Sequence, residues 1–227
     1  MMASRRPLPV APGMILVLIV IASAAAWFVS SALHYVTDFS AESYSPRYWP
    51  RRWALLAHVS GGMVATGVGL VQLWLGLTGR TSGAHRILGR VYVGAIGVGV
   101  VGALALTLAS PHSLALFGFT SGLVMLNIAW IATTAIAVWA IRARKVALHR
   151  EWMIRSYAVT FGFVAFRLFN NWLGGMIDTS GDGVGAQIDA ISAWASWSVP
   201  LLIVEVGLAV AALRKRQPAT RSAADLG

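Results

Sequence analysis

Residues 53–77 read WALLAHVSGGMVATGVGLVQLWLGL, 25 consecutive positions without an acidic, lysine or arginine side chain. An α-helix rises 1.5 Å per residue, so about 20 apolar residues cross the hydrocarbon layer of a bilayer. The stretch is long enough, and it carries His58 among apolar and small neighbours. An ionisable group inside such a run is costly in lipid and is therefore a candidate functional position. Small residues recur along the same helix at Gly61, Gly62, Thr66 and Gly69. Lipid gives helices no hydrophobic drive to associate, so small residues that allow close backbone approach mark helix contacts.

Five further apolar segments lie around this one, at 14–34, 87–108, 114–141, 152–173 and 191–213. The expectation is an all-α integral membrane protein with about six transmembrane helices. The second to fifth (53–173) form a core bundle, and the first and sixth flank it. The membrane domain is 14–213, with tails at 1–13 and 214–227. Composition agrees: 57% of the 227 residues are hydrophobic and only 11% are charged, against roughly a quarter charged in a soluble domain. Mean hydropathy is +0.70. The first segment follows Arg5 and Arg6 and contains Ala22-Ser23-Ala24, as a cleavable signal peptide would. Its apolar run is long for a signal core, and an uncleaved helix is expected.

The net charge of +10 is unevenly placed. Fourteen of the 18 basic residues flank the same ends of the segments: Arg5, Arg6, Arg80, Arg86, Arg90, Arg142, Arg144, Lys145, Arg150, Arg155, Arg214, Lys215, Arg216 and Arg221. The positive-inside rule makes that side cytoplasmic. Both termini are then cytoplasmic, in the cell (inner) membrane, and the charge reads as topology and not as a nucleic-acid footprint. Loops on the other side hold Asp38, Glu42, Asp178, Asp182 and Asp189. With no cysteine, disulfides, cysteine zinc sites and covalent haem attachment are excluded. No Gly-x-Ser-x-Gly turn or strand-linked phosphate loop is present.

A weak repeat runs through the core. His85-Arg86-Ile87-Leu88-Gly89-Arg90-Val91-Tyr92 and His149-Arg150-Glu151-Trp152-Met153-Ile154-Arg155-Ser156-Tyr157 each enter a helix from a basic loop. Parallel repeats of the second–third and fourth–fifth helices would relate His85 to His149 by a membrane-normal pseudo-twofold. These two motifs, with His58-Val59-Ser60-Gly61-Gly62, Gln72 and Arg167, resemble the bacterial domain-of-unknown-function 2306 family of predicted membrane proteins. The resemblance implies a multi-pass membrane protein and brings no reaction with it.

On the fifth predicted helix His149, Met153, Ser156, Thr160, Arg167 and Asn171 share a face, with His149 and Arg167 about 27 Å apart. Two polar layers follow. The inner one holds His85, His149, Gln72, Tyr92, Tyr157 and Glu205, with Arg90 and Arg155 as further cofactor-binding candidates; the outer one holds His58, His34, Arg167 and Asn170. His112 reads as an exposed loop residue.

Two chemistries fit. In the first, haem b is held by histidine, with His85 and His149 as the axial iron ligands of one inner site. His58 and His34 form a weaker outer pair, and arginines meet the propionates. That resembles cytochrome b561-like bundles in architecture, and would make the protein a membrane oxidoreductase component serving a quinone or a redox partner. In the second, the chain is a binding or transport bundle for a proton, a small anion or a lipid, quinone or carboxylate head group. Arg86, Arg90, Arg150 and Arg155 then surround an anion site at the helix ends. The glycines read as tight packing, with clearance for a flat cofactor as the lesser reading. Histidines that only cap and snorkel remain the bland alternative, and a homo-oligomer is compatible with any of these.

Overall fold

The computed structural model describes residues 12–80, 83–109 and 114–216, and every regular element among them is helical. Arg5, Arg6, His112 and Arg221 lie outside the described residues. In chain order the helices are α1 (Pro12–Ala32), α2 (His34–Thr37), α3 (Ala41–Tyr48), α4 (Arg52–Leu77), α5 (Gly83–Leu108), α6 (Leu114–Arg142), α7 (Val146–Thr160), α8 (Gly162–Met176) and α9 (Val184–Arg216). A 3-10 turn, Trp49–Arg51, joins α3 to α4.

Among the described residues, five stretches are long and apolar enough to cross a membrane: Pro12–Thr37, Ala41–Leu77, Gly83–Leu108, Phe117–Arg142 and Val184–Arg214. Large apolar side chains such as Leu16, Val101, Phe117, Leu202 and Ile203 stand exposed on their outer faces, as lipid contact requires. The fifth predicted helix is built differently. Residues 152–173 were expected to be one continuous helix, and they are divided at Phe161 into α7 and α8, 15 residues each. The Thr160 hydroxyl donates to the Ser156 carbonyl at 2.9 Å, and Val164 N–H bonds the Phe161 carbonyl at 3.0 Å in a tightened turn. Such back-bonding competes with the helix ladder and bends it. Neither half alone spans a bilayer; together they do.

A second interruption faces this one. Pro200 lies inside α9 and has no N–H for the Ser196 carbonyl. That carbonyl oxygen is 3.5 Å from where a Cβ on Gly162 would stand. The two broken ladders therefore meet at one depth.

The largest interface joins α4 to α5, and α6 to α7 is next. In the first, a Cβ on Gly61 would stand 2.6 Å from Gly99 N, and one on Gly102 would stand 2.5 Å from both Ala54 O and His58 N. Backbone touches backbone there, so the glycines are contact residues. Gly62 is covered by the Phe163 ring and Gly69 by Tyr92 and Tyr157. The space beside these glycines is filled by protein, as tight packing requires. Gly94 and Gly97 have no atom within 4 Å and are not contact residues at all.

The two hairpins share more than sequence. At the end of α4 the Arg80 N–H bonds Leu75 O at 2.9 Å, with Gly79 at φ +72°. At the end of α6 the Lys145 N–H bonds Ala140 O at 2.8 Å, with Arg144 at φ +58°. Both are six-to-one helix closures through a left-handed residue. Tyr92 and Tyr157, the matching tyrosines of the repeat, both meet Gly69.

Packing divides the interior into two clusters. One gathers Ala65, Tyr92, Ile96, Val100, Trp130, Tyr157 and Val159 from α4, α5, α6 and α7. The other gathers Phe28, Ala32, Tyr44, Leu55, Val59 and Val164, nearer the α3 end. Phe163 packs against both.

Candidate functional site

The bundle carries three polar levels. At the α3 end a cavity of about 260 Å³ opens among α1, α4, α5, α6, α8 and α9, with α2 and α3 at its rim. His58, Arg47, Arg167 and Asn127, with hydroxyls such as Thr107, Thr120 and Ser196, supply polar lining, and Phe28, Phe119, Trp130, Phe163 and Phe166 aromatic walls. His58 donates its Nδ1–H to the Gly99 carbonyl at 3.1 Å, across the glycine contact described above. With Nδ1 so engaged, a neutral ring keeps Nε2 as a lone-pair acceptor. The Phe163 ring lies over it with centroids 4.9 Å apart. Asn127, 5% exposed, gives one N–H to the Leu123 carbonyl at 2.9 Å. Arg167 has no hydrogen-bond or ion-pair partner among the described residues, and the lining includes no acid. The cavity is thus basic and aromatic, with no carboxylate among the described residues that line it.

The mouth is covered by α3. Ser40 caps this helix by accepting from Ser43 N–H at 3.2 Å. Ser45 interrupts it at φ +59°, ψ +159° ahead of Pro46, a region L residues enter at a cost. The Tyr44 hydroxyl donates to the Tyr35 carbonyl at 2.5 Å, which fastens α3 to the end of α2. Expected partnership between His34 and His58 is not formed. His34 is exposed, stacks on Tyr35 at 4.0 Å and donates to the Ser31 carbonyl at 2.9 Å. It does not line the cavity.

In the middle of the bundle lies a closed hydroxyl network. Tyr92 OH meets Ser156 Oγ at 3.0 Å and Thr160 Oγ1 at 2.8 Å. Thr134 Oγ1 meets Ser156 Oγ at 2.8 Å, and the Trp130 indole N–H donates to Thr160 Oγ1 at 2.8 Å. All five side chains are buried. Beside them the Tyr157 hydroxyl donates to the Thr66 carbonyl at 3.3 Å.

At the basic end His85 and His149 lie within electrostatic reach of each other. His149 donates Nδ1–H to the Ala137 carbonyl at 2.9 Å, while His85 Nδ1 is buried without a partner among the described residues. Gln72 donates to the His85 carbonyl at 2.6 Å. Two expected members of this layer are committed elsewhere. Arg155 makes a two-point bond to Glu205, Nε to Oε1 at 2.5 Å and an η nitrogen to Oε2 at 2.9 Å. Its guanidinium also lies 4.8 Å over the Trp152 ring. Arg86, Arg90 and Arg150 are exposed. The basic cluster is therefore looser than an enclosed anion site. Among the described residues no group of three or more His, Asp or Glu is placed to hold a metal ion.

Glu205→Gln tests the Arg155 pair. It should lower stability by about 1.5–3 kcal/mol, the range for hydrogen bonds to charged groups, toward the lower figure because Glu205 is about half exposed. Unfolding in a detergent titration reads this directly.

Sequence reading missed Trp130, Thr134, Asn127, Phe163 and Arg47 as site residues. The available signals were a tryptophan and an asparagine in the middle of an apolar segment, away from the interface where such side chains usually sit.

These features define a polytopic helical membrane bundle with a ligand-sized cavity in one half. A family model described as predicted membrane protein (DUF2306) matches residues 55–210. The chain belongs to that family. No curated protein and no solved structure gives a significant match.

Proposed function

We propose that the chain is a binding bundle of the cell membrane, with its basic end in the cytoplasm, that takes a small amphiphile into the cavity at the opposite end. The head group is a carboxylate or a similarly electron-rich oxygen group. One observation carries this: Arg167 stands on the wall of an aromatic cavity with no acidic residue in the lining. A guanidinium held in a low-dielectric site without an acceptor is expensive, and an incoming anion relieves it. A concave, mostly apolar pocket with a few convergent polar groups is the usual form of a small-molecule site. Protein reconstituted in nanodiscs should bind radiolabelled octanoate saturably in equilibrium dialysis, and an uncharged octyl alcohol much more weakly. A short-tailed quinone that bound while octanoate did not would replace the carboxylate with a carbonyl head; no saturable binding of either would end the proposal.

A second reading, haem b between His85 and His149, has one favourable observation. The Nδ1–H bond from His149 to Ala137 O is the kind of support that orients a ligating imidazole with Nε2 forward. Arg155, expected at a propionate, is held by Glu205 instead. Protein from haem-supplied cells should decide by its visible spectrum, oxidised and then dithionite-reduced. A Soret band lost in both His85→Ala and His149→Ala supports haem, and a colourless wild type that reconstitution leaves colourless removes it.

A further inference from the structure

The hydroxyl network has a direction. Trp130 can only donate, so Thr160 Oγ1 accepts from it. Thr160 gives its own proton to the Ser156 carbonyl. Tyr92 must then donate to Thr160, Ser156 to Tyr92, and Thr134 to Ser156, which uses every hydroxyl proton once. The chain runs from the His149 side, where Thr134 keeps acceptor capacity, toward the cavity. On α6, Thr134 is one turn, about 5 Å, from Ala137, whose carbonyl holds His149. At its other end Thr160 is already bonded to Trp130, and Trp130 and Phe163, with ring centroids 5.1 Å apart, separate it from His58. A titratable group stands at each end, and one aromatic layer interrupts the path between them.

We propose that this bundle holds a gated proton path between the cavity and the basic-end histidines along Thr134, Ser156, Tyr92 and Thr160, with Trp130 and Phe163 as the gate that keeps it shut. With the layer open, Thr160 turns its proton from the Ser156 carbonyl to water or His58 on the cavity side and takes the Tyr92 proton. Ser156 and Thr134 pass theirs forward in turn, Thr134 is resupplied from the basic end, and each hydroxyl rotates back. The layer is closed in the present structure, because Trp130 occupies the Thr160 oxygen and the Phe163 ring covers His58. The proposal draws on the network and not on Arg167, so its failure leaves the amphiphile site standing, and the reverse holds too.

Proteoliposomes loaded with a pH-sensitive dye, under a potassium–valinomycin diffusion potential, measure the conductance. Wild type should stay near the rate of protein-free vesicles. Phe163→Ala should acidify the lumen several-fold faster, and adding Tyr92→Phe should return the rate to baseline. Where Phe163→Ala does not fold, Phe163→Leu takes its place. A folded Phe163 variant, melting near wild type, that stays at the protein-free rate overturns the gate. A Phe163/Tyr92 double variant as fast as the single one overturns the path, since the leak then bypasses the hydroxyls.

Discussion

Arg167→Ala should weaken octanoate binding by about 10- to 150-fold, the equivalent of losing a charged hydrogen bond of about 1.5–3 kcal/mol. The same substitution should leave the melting temperature of the unliganded protein unchanged or slightly raised. Arg167 has no partner among the described residues to lose, and removing it relieves an unpaired cation on the cavity wall. That divergence separates a ligand-binding arginine from a structural one, which would cost stability and affinity together. Arg167→Lys should fall between, because an ammonium keeps the charge but not the planar two-point fork. Equilibrium dialysis and a detergent melting curve on the same preparations give both readings. Equal affinity in wild type and Arg167→Ala would detach the cavity's arginine from its ligand.

The second large effect concerns the α4–α5 contact. Gly102→Ala should destabilise the bundle by about 1–3 kcal/mol or more, the range for overpacking. Its new Cβ would lie 2.5 Å from the backbone of Ala54 and His58, and backbone cannot swing aside as a long side chain can. The separation forced there would also carry His58 away from Gly99 O. Gly97→Ala on the same helix is the matched control. Nothing stands within 4 Å of it, and the helix should gain up to about 1 kcal/mol from the better propensity. Detergent-titrated unfolding of the pair should move in opposite directions; equal shifts would mean that the contact is not tight.

Hydropathy was enough for the segments, because lipid requires every spanning helix to be long and apolar whatever its neighbours. The repeated His-Arg motifs set His85 and His149 at the same basic end, where the charge of one acts on the other. Break and partner choice were illegible. Phe161-Gly162-Phe163 reads as ordinary apolar sequence, and the interruption depends on Thr160 turning back on Ser156 while engaged by Tyr92 and Trp130. Depth alone put Arg155 beside His149 and Arg167 beside His34. Azimuth around the helix axis sent Arg155 to Glu205 and set Arg167 in a cavity that His34 does not reach. The cavity itself is lined from eight helices at once, and no window of one sequence contains it.

The meeting of the Phe161 break with Pro200 places the compliance of the molecule in one plane. The freed Ser196 carbonyl and the tightened turn after Phe161 lie against each other, so bending one helix there costs the other little. Above and below, α4 and α5 run unbroken and act as a stiff beam. Amides near 161–164 and 197–201 should therefore exchange with deuterium ahead of those in the middle of α4 and α5, even though all of them sit at similar depth. Flexing should concentrate at that plane, where α8 and the part of α9 before Pro200 tilt together against a spine that does not bend.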